Sequence, residues 1–483
     1  YGDHRDLHSF PTRRSSDLVD AGGVEAGPFP PSTPAAVIDL AMVEEVGAAL
    51  LRAWDRTYGG LGREPKFPQT EALELALDLY SDERNPEYLA FARSTLEAMI
   101  GGNLLDKVEG GFFRYSTTRD WSVPHYEKML ADNAGMIPVL LKAHALTGDE
   151  VFLRTASETA DYILRTLSDG RQRFFGSQDA DEEYYLLSAG ERAGKATPPV
   201  DRTVYTDLAS RAASSFLLAG AALGEEGHAS MALSALEYLW SRAFRPGVGM
   251  AHYLGENGPR RWGLLDDGAE AASAFLAAYG HTGERKWMER AREVSRLLLD
   301  RHWSEETSLF LDIAPGHEPP GLSPRPAELP AQSRAATALL YLWAHGGGED
   351  WREVAGRALA ATASAAPAYG FQAAPFALAL DLYLRGPFLV RVAAPDTAAA
   401  GPLLATAALS ARPRTMLVFE RVAGRIGDGA TAELCTTRSC ILRTTRPEEL
   451  RDALGIHPRA RASRSVPHHA EQAEGASGTS EGG

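Results

Sequence analysis

The chain repeats one short pattern, which occurs as HALTGDEVFLRTA (residues 144–156), GHTGERKWMERA (280–291) and AHGGGEDWREVA (344–355). In each copy a helical stretch ends at small residues, and a second one begins with an acidic residue followed closely by an aromatic one. Glycine relieves the strain of the left-handed backbone at a helix C-terminus, and an acidic residue suits the positive N-terminal end of the next helix. The pattern predicts paired helices joined by tight turns, four of them marked by Gly148, Gly224, Gly283 and Gly348.

Longer loops that are rich in glycine and aromatic residues lie between these turns. In chain order they are YGGLG (58–62), GGFFRYS (110–116), RFFGSQDAD (173–181), GMAHYL (249–254), LFLDIA (309–314) and YGFQAA (369–374). Helices with apolar residues three and four apart, such as EVFLRTASETADYILRTL (150–167), alternate with helices that are apolar almost all round. The order helix, aromatic loop, helix, small turn predicts six units and about twelve helices.

Two arrangements fit six helical hairpins: an open solenoid of the tetratricopeptide kind, and a closed (α/α)6 barrel in which an outer ring surrounds an inner one. The solenoid requires units of about 34 residues with tight turns. Here the four turn glycines are 59 to 76 residues apart, and the long loops occur at one end of each unit only. The spacing favours a mainly α protein with an (α/α)6 barrel, a six-hairpin toroid, over residues 36–386.

The remaining segments differ from the repeats. FLVRVAA (388–394), RTMLVFERV (414–422) and CILRTT (440–445) are typical of short strands, with helical stretches among them, so we predict a small C-terminal α/β appendage over residues 387–456. Residues 1–18 lack periodicity and resemble a translated sequencing adapter, and we expect them to be non-native. Residues 19–35 are predicted to be a linker, and the polar, Gly- and Ser-rich residues 457–483 a disordered tail.

Composition argues against several kinds of partner. With 44% hydrophobic and 23% charged residues, the 483-residue chain is typical of a soluble globular protein. Its formal net charge of -15 would repel nucleic acids and anionic membranes, and no apolar stretch reaches the roughly 20 residues of a membrane span. Two cysteines, Cys435 and Cys440, fit a reducing compartment, so we expect a cytoplasmic protein. We expect both to be thiols, with a hairpin disulfide as the alternative.

The densest group of ionisable residues is WSVPHYEKMLADNA (121–134), which precedes an apolar helical stretch. Pro124 suits the first position of a helix, and on such a helix His125, Lys128 and Asp132 would lie above one another. In a barrel this helix belongs to the inner ring, where a polar stripe should face the central cavity because buried unpaired charges are costly. The alternative is a capped helix with a Lys128–Asp132 ion pair at a wet surface.

Two further acidic groups are candidates. Asp179 and Asp181 are flanked by four aromatic residues, Phe174, Phe175, Tyr184 and Tyr185. Carboxylates beside aromatic rings suit sugar recognition, because the rings stack on C–H faces and the acids bind hydroxyls; solvated loop acids are the alternative. Asp266, Asp267 and Glu270 lie at the start of another predicted inner helix, where acidic residues also have an ordinary electrostatic explanation.

The candidate site residues fall into two groups. Candidate catalytic residues are His125, Glu127, Lys128, Asp179 and Asp181. Candidate ligand-binding residues are Lys66, Arg114, Tyr115, Trp121, Asp132, Asn133, Gln178, His252, Asp266 and Asp267. No Cys or His group has metal-ligand spacing, and neither a phosphate loop nor a nucleophile elbow occurs, so we expect no metal and no cofactor.

Three stretches carry a resemblance to a known family: GGLGREPKFP (59–68), GGFFRYSTTRDWSVPHYEKMLADNA (110–134) and SQDADEEYY (177–185). They resemble the thioredoxin-domain-containing proteins of the spermatogenesis-associated, domain-of-unknown-function type, over roughly residues 36–453. The resemblance implies an (α/α)6 barrel similar to N-acylglucosamine 2-epimerases and six-hairpin glycosidases, preceded by a thioredoxin-like domain.

This sequence departs from that family pattern in three places. The Cys-His-Trp-Cys pattern of the thioredoxin-like domain does not occur in the sequence, so we expect this chain to lack the thioredoxin-like partner domain. YTDLAS (205–210) stands where the family has Trp-Asn-Gly-Leu, and Ala131 stands where an aromatic residue is common. These differences predict a reduced or altered site.

Two functional hypotheses follow. The first is a carbohydrate-active barrel that binds a sugar-like ligand in its cavity. Its chemistry would be epimerisation or isomerisation with His125 as base and Lys128 or Arg114 stabilising an enolate, or inverting hydrolysis with two carboxyl groups. The second is a non-catalytic ligand- or protein-binding scaffold left after loss of a redox domain. An open, polar cavity would favour the first hypothesis, and a filled one the second.

Overall fold

Twelve long helices form the main body of the part of the protein that the structure describes. The structure, a computed structural model, describes residues 37–321, 323–423 and 429–457. In chain order the long helices are α1 (Leu40–Ala53), α2 (Thr70–Glu83), α3 (Pro86–Gly101), α4 (Leu130–Thr147), α5 (Glu150–Thr166), α6 (Thr206–Leu223), α7 (Glu226–Ala243), α8 (Leu265–Thr282), α9 (Arg285–His302), α10 (Leu329–Ala344), α11 (Glu349–Thr362) and α12 (Ala374–Arg385). Short helical segments lie at Glu182–Tyr185, Ala189–Arg192, Ala366–Tyr369 and Gly370–Ala373.

The even-numbered helices form an inner ring. Each of them packs against the next, and α12 packs against α2, so the ring is closed. The odd-numbered helices pack outside it, with α3, α5, α7, α9 and α11 each on the preceding inner helix and α1 on α12. An open solenoid has no contact between its first and last repeats, so the predicted (α/α)6 barrel is confirmed.

Burial distinguishes the two rings. Inner helix α4 buries nearly every residue from Leu130 to Leu146, because protein surrounds it on both sides. Outer helix α5 buries one face only, at Phe152, Ala156, Ala160 and Ile163. This spacing is that of an amphipathic helix, and it places the apolar face of α5 against the inner ring, as its sequence predicts.

All four predicted glycines lie in the tight turns between helices, and three of them end a helix as expected. Gly148, Gly224 and Gly283 end α4, α6 and α8 with φ angles of 70°, 72° and 67°. These left-handed conformations strain any residue with a Cβ atom, which explains the choice of glycine. Gly348 is different, because it directly precedes α11 rather than ending α10.

The loops at the N-terminal ends of the inner helices form what we call the rim, residues 54–69, 102–129, 167–205, 244–264, 303–328 and 363–373. They contain short strands that were not predicted from the sequence: β1 (Tyr115–Ser116), β2 (Pro124–His125), β3 (Lys128–Met129), β4 (Ser177–Gln178), β5 (Val200–Asp201), β6 (Val204–Tyr205), β7 (Phe244–Arg245), β8 (Gly249–Gly255), β9 (Gly258–Trp262), β10 (Trp303–Ser304) and β11 (Leu309–Phe310). These strands form small antiparallel sheets with the orders β1–β2, β3–β4–β5, β6–β8–β7 with β9 beside β8, and β10–β11.

The prediction that a helix begins at Pro124 is wrong, because α4 begins at Leu130. Strand β2 pairs with β1, and β3 pairs with β4, so the backbone before Leu130 is extended where it makes these bridges. Alternate residues of an extended chain point to opposite sides. His125, Lys128 and Asp132 therefore do not form the predicted stripe on one helix.

The C-terminal segment, residues 387–457, contains a four-stranded sheet. Its strands are β12 (Phe388–Ala394), β13 (Thr415–Arg421), β14 (Thr431–Cys435) and β15 (Cys440–Thr444), with helices α13 (Thr397–Ala408) and α14 (Pro447–Ala453). The sheet order is β13–β12–β14–β15, and only β12 and β13 are parallel, joined through α13. The sequence predicted three of the strands and both helices, but not β14.

This C-terminal segment lies across the C-terminal ends of the inner helices. Gly280 of α8 is so close to β13 that a Cβ atom there would be 2.2 Å from the carbonyl oxygen of Leu417. Arg414, directly before β13, forms ion pairs with Asp82 of α2 at 2.7 Å and with Asp381 of α12. The close backbone contact and the buried charges therefore hold the segment on the end of the barrel opposite the rim.

Cys435 and Cys440 are joined by a disulfide bond, so the prediction of two thiols is wrong and the hairpin alternative holds. The two residues are paired directly across β14 and β15. Side chains at opposed positions of antiparallel strands lie close together, which brings the two sulfur atoms within bonding distance.

Some predictions concern residues that the structure does not describe. The segments 1–18 and 19–35, and residues 458–483 of the predicted tail, lie outside the described part of the chain. Among the described helices, none combines the length and the apolar character that crossing a membrane requires.

Candidate functional site

A cavity of about 440 Å³ lies inside the inner ring. All six inner helices contribute to its wall, and residues of the C-terminal segment, including Met416 and Leu417, line the end opposite the rim. Small side chains such as Gly135, Ser214 and Ser215 leave the space open. The volume is within the roughly 300–1,000 Å³ of small-molecule sites. We call this space the axial cavity.

Helix α2 presents three carboxyl groups to the axial cavity. Glu71, Glu74 and Asp78 are three and four residues apart, so they share one face of the helix. Leu73 and Leu77, on other faces, are fully buried in the core. Burial of the apolar faces thus leaves the acidic face of α2 directed inward.

Arg211 of α6 connects two of the acids across the cavity. Its guanidinium donates to Glu71 at 3.2 Å and to Glu270 of α8 at 2.7 Å. Glu71 and Arg211 come from helices separated by α4, so the contact spans part of the ring. The charge of Glu270 and then that of Glu71 raise the pKa of Arg211 further above its usual value. This group is therefore a fixed positive charge in the cavity wall.

Two more cations of the wall, Lys142 and Arg334, form ion pairs with acids of neighbouring helices. Lys142 of α4 forms an ion pair with Asp78. Arg334 of α10 donates to both oxygens of Asp266, at 2.9 and 3.0 Å, and lies 3.8 Å from Glu270. Each of these pairs joins neighbouring inner helices, so the charges also hold the ring together.

Glu74 differs from the other acids of the cavity. In the described part of the chain, no hydrogen bond or ion pair reaches its carboxyl group. Burial raises its pKa to about 7, and Asp78 and Glu71 add to the rise while Lys142 and Arg211 oppose it. Burial also raises the pKa of Asp78, against the effect of Lys142. Glu74 is consequently an acid that gains and loses its proton near neutral pH.

Three predicted residues, Lys66, Trp121 and Lys128, are enclosed in the rim and do not line the cavity. The ammonium of Lys66 donates to Asp55 at 2.8 Å, and that of Lys128 donates to Asp106 at 2.7 Å. Both side chains are 0% exposed. The alternative of a Lys128–Asp132 ion pair at a wet surface is therefore also wrong, because Lys128 is buried and paired with Asp106.

His125, Tyr115, Arg114 and Glu127 are half-buried in the rim, also away from the axial cavity. The ring of His125 stacks on Tyr115 with centroids 4.9 Å apart, and its Nδ1 is buried without a hydrogen-bond partner. Arg114 donates to Glu127 at 2.9 Å. The catalytic role predicted for His125 and Glu127 thus remains a prediction, at residues that do not line the axial cavity.

Asp132, Asn133 and Gln178 are buried inside the protein. Asn133 accepts from the amide of Phe112 at 2.6 Å and donates to its carbonyl at 2.9 Å. Gln332, at the matching fourth position of α10, makes the same pair of bonds with Phe310. Because the motif recurs in two units, Asn133 serves to attach a rim loop to an inner helix.

Asp179 and Asp181 are at the surface of the rim. Asp179 is exposed, and Asp181 caps a short helix by accepting from the amide of Tyr184 at 2.9 Å. The four neighbouring aromatic residues are buried, at Phe174, Phe175, Tyr184 and Tyr185. They are not available as stacking platforms, so the physical basis for a sugar site at these acids is absent.

His252 and Asp267 meet at the start of α8. His252 Nδ1 lies 3.1 Å from Asp267 Oδ1, and both residues are buried. Burial acts to lower the pKa of His252, but Asp267 outweighs it and raises the value to about 9. Asp207 of α6 joins them, and burial together with Asp267 raises its pKa to about 7. Asp207 was not among the predicted residues.

Most charged residues that line the axial cavity were not predicted from the sequence as site residues, namely Glu71, Glu74, Asp78, Lys142, Arg211 and Arg334. A signal was available, because α2 and α6 are inner helices that carry charged residues at positions where other inner-helix residues are apolar or small. On a helix surrounded by protein, such positions can only face a cavity or a paired charge.

Sequence comparison links part of the chain to known proteins. No protein-family model matches it. A segment of 132 residues, 26% of this chain, is 36% identical to spermatogenesis-associated protein 20 of Mus musculus and equally to that of Homo sapiens. An uncharacterised protein of Caenorhabditis elegans is 28% identical over 140 residues. The match spans 17–18% of the length of these relatives.

Structural comparison finds barrels of the same architecture. A D-mannose isomerase matches with a TM-score of 0.54 at 12% identity, over 68% of this chain and 88% of the isomerase. The cellobiose 2-epimerase of Bacillus thermoamylovorans matches with 0.53 at 10%, over 66% and 86%. A family 76 glycoside hydrolase of a bovine Bacteroides thetaiotaomicron strain matches with 0.51 at 11%, over 71% and 77%. The chain is thus related in sequence to spermatogenesis-associated protein 20 over about a quarter of its length, and it has the fold of six-hairpin, glycosidase-like barrels.

Proposed function

We propose that the axial cavity binds a small polyhydroxylated ligand, a monosaccharide or sugar phosphate, and that Glu74 transfers a proton on it. The observation that carries the proposal is the position of Glu74, whose side chain lines the cavity without an ion pair among the described residues; burial there raises its pKa to about 7. A general acid or base is most effective when its pKa lies near the working pH. No other cavity acid combines this pKa with the absence of an ion pair among the described residues.

The lining of the cavity supports a ligand rich in hydroxyl groups. Thr70, Ser273, Thr337 and Tyr341 contribute hydroxyls that both donate and accept hydrogen bonds. The carboxylates accept, and Arg211 donates through a planar group suited to paired oxygen atoms. Sugars present donors and acceptors in close alternation, which matches this mixture.

The reaction class that fits best is proton exchange at a carbon next to a carbonyl group. Glu74 removes the proton, the C–H electron pair moves to the carbonyl oxygen, and Lys142 and Arg211 stabilise the oxyanion. Return of the proton from Glu74 to the neighbouring carbon, with the hydroxyl proton passing to the former carbonyl oxygen, completes an isomerisation. Epimerisation requires that the original carbon be reprotonated on its opposite face, after the enediolate has turned in the cavity. The names of the mannose isomerase and cellobiose epimerase fit this class, although a shared fold is a weak guide to chemistry.

Two observations count against the alternatives. Inverting hydrolysis needs a second free carboxylate to activate water, yet Glu71 and Glu270 both pair with Arg211, and Asp78 pairs with Lys142. A non-catalytic scaffold would favour a filled barrel, whereas the cavity keeps about 440 Å³ of open space. Proton transfer is therefore the function we favour.

The test is hydrogen exchange followed by proton NMR. The full-length chain is incubated in D₂O with aldoses, ketoses, disaccharides and sugar phosphates, and loss of the signal of the proton next to the carbonyl is recorded. We expect exchange with at least one of them, and a loss of about 10²–10⁴-fold in Glu74→Gln, which is typical for removal of a general base.

Glu158→Gln is the matched control, because Glu158 is exposed on outer helix α5. It should exchange at the parent rate. Binding is followed in parallel by thermal shift, so that a Glu74→Gln protein that binds without exchanging separates chemistry from binding. A panel with neither exchange nor thermal shift would contradict the proposal.

A further inference from the structure

Three side chains of metal-ligand type converge where α6 and α8 begin. They are Asp207, the second residue of α6, Asp267, the third residue of α8, and His252 of β8. One ligand atom of each lies within 4.8 Å of the others. They are 45 and 15 residues apart along the chain, which is why spacing in the sequence gave no sign of them. We call this group the His252 cluster.

The rim hairpin fixes the geometry of the His252 cluster. Strand β8 pairs with β6, which leads directly into α6, and with β9, which leads into α8. Asp207 and Asp267 are therefore held on the first turns of two adjacent helices, and His252 on the strand between their approaches. Ligands carried on paired strands and helices are well positioned before any ion binds.

Two oxygen atoms of the cluster are buried and unpartnered. Asp267 is 0% exposed, and its Oδ2 has no hydrogen-bond partner in the described structure. Oδ1 of Asp207 is likewise buried without a partner. The nearest arginines do not serve them, because Arg211 pairs with Glu71 and Glu270, and Arg334 pairs with Asp266. His252 contacts Oδ1 of Asp267 and not these two atoms. Buried carboxylate oxygens without a donor are costly, so both atoms are open to a ligand that carries positive charge.

We propose that Asp207, His252 and Asp267 bind a divalent transition-metal ion of the Zn²⁺ or Mn²⁺ class. Imidazole together with carboxylate favours such ions, whereas Ca²⁺ and Mg²⁺ prefer oxygen ligands alone. The 3.1 Å between His252 Nδ1 and Asp267 Oδ1 is close to the about 3.3 Å between ligands of a tetrahedral site with bonds of about 2.0 Å. Three protein ligands leave one position for water or another ligand.

The site adjoins the axial cavity but does not depend on its function. Arg211 follows Asp207 by four residues and Glu270 follows Asp267 by three, so the ion lies about one helical turn, roughly 5 Å, closer to the rim than these cavity residues. Asp207 is partly exposed, which provides a route for the ion. The inference would stand even if the cavity bound no sugar.

Metal binding is measured on the full-length chain, purified with a tag that contains no histidine and stripped with a chelator. Zn²⁺, Mn²⁺ and Mg²⁺ are added separately, bound metal is counted by mass spectrometry after dialysis, and Co²⁺ is used as a visible-absorption probe. We expect one equivalent of Zn²⁺ or Mn²⁺ per chain, and a rise in Tm of about 3 °C at 100 times the Kd. Mg²⁺ at the same concentration should leave Tm unchanged.

Asp267→Asn and Asp207→Asn test the assignment. Removing a residue that hydrogen-bonds to a metal ligand weakens metal affinity by roughly 10–100-fold. Removing a ligand itself should therefore weaken it by about 100-fold or more. His302→Asn is the matched control, because His302, the last residue of α9, is equally buried but bonds to the carbonyl of Leu311 instead. It should bind like the parent chain.

Two results would overturn the proposal: a parent chain that takes up no Zn²⁺ or Mn²⁺, and a folded ligand variant that binds as tightly as the parent. If circular dichroism shows that Asp267→Asn does not fold, Asp207→Asn decides alone, since the partly exposed Asp207 tolerates an amide of the same shape. If the parent chain binds no metal, the His252 cluster is a group of three side chains that share protons.

Discussion

Two groups of buried charge, one in the rim and one in the axial cavity, use the same residue types in opposite ways. In the rim, Lys128 donates to Asp106 and to the carbonyl of Gly110, and Arg192 also donates to Asp106. Each of these three charges has a partner in contact and is shielded from solvent. In the cavity, Glu74 faces open space and has no partner of this kind among the described residues.

The pKa shifts of the two acids have opposite signs. Burial acts to raise the pKa of Asp106, but Lys128 and Arg192 outweigh it and the value is lowered. Burial lowers the pKa of Lys128 to about 8, which still leaves it charged at neutral pH. For Glu74, burial prevails over Lys142 and Arg211, and the pKa is raised to about 7. A dense cluster of charges in a sequence therefore indicates function less well than one acid left without a partner.

The largest expected effect is on the rim. Asp106→Ala removes the acid that pairs with both Lys128 and Arg192, whose side chains are 0% and 4% exposed. Two cations would remain buried together, so we expect the free energy of unfolding to fall by about 3–5 kcal/mol. Urea denaturation measures the change, with Asp300→Ala on the exposed side of α9 as a control that should differ by less than about 0.5 kcal/mol. A loss below about 1 kcal/mol for Asp106→Ala would contradict the structural role of the rim charges.

In the cavity, the contribution of Glu74 to stability should fall as pH rises, opposite to that of an acid with a lowered pKa such as Asp106. The pKa of Glu74 is raised from 4.5 to about 7, so its contribution to stability is present below pH 4.5 and lost as pH rises through 7. Glu74→Gln removes this dependence, while the groups that face Glu74, namely Asp78, Glu71, Lys142, Arg211 and Tyr341, stay in place. Relative to the parent, we expect Glu74→Gln to gain about 2–3 kcal/mol between pH 5 and pH 8.

The measurement for Glu74→Gln is urea denaturation of both proteins at several pH values. Glu158→Gln, exposed on α5, is the control and should follow the parent at every pH. A difference between Glu74→Gln and the parent that stays constant from pH 5 to pH 8 would show that Glu74 has an ordinary pKa.

The smallest expected effect tests whether the rim histidine belongs to the site. His125→Ala removes a ring stacked on Tyr115 and exposes no charge, so we expect a loss of about 1 kcal/mol in unfolding free energy. Proton exchange on sugars, if Glu74 performs it, should be unchanged, because His125 is not in the cavity wall. A drop of more than tenfold in the rate of proton exchange, with Tm little changed, would indicate that the site lies in the rim.

The sequence determined the barrel because its evidence is local and repeated. Apolar spacing separates inner from outer helices, and glycine at positions 148, 224 and 283 ends helices in a conformation that other residues resist. Strand composition likewise predicted β12 and β13 in the C-terminal segment. These patterns involve residues that are close together in the sequence, so they can be recognised without a structure.

Tertiary structure alone decided which charges are structural and which face the cavity. Lys128 and Asp106 are 22 residues apart, Arg211 and Glu71 are 140 apart, and Arg414 and Asp82 are 332 apart. Helix α4 also begins later than Pro124 suggests, because strand pairing with residues 177–178 holds the preceding backbone extended. Contacts of this range depend on how the loops and helices fold onto one another, so the sequence shows which residues are charged but not which of those charges have a partner.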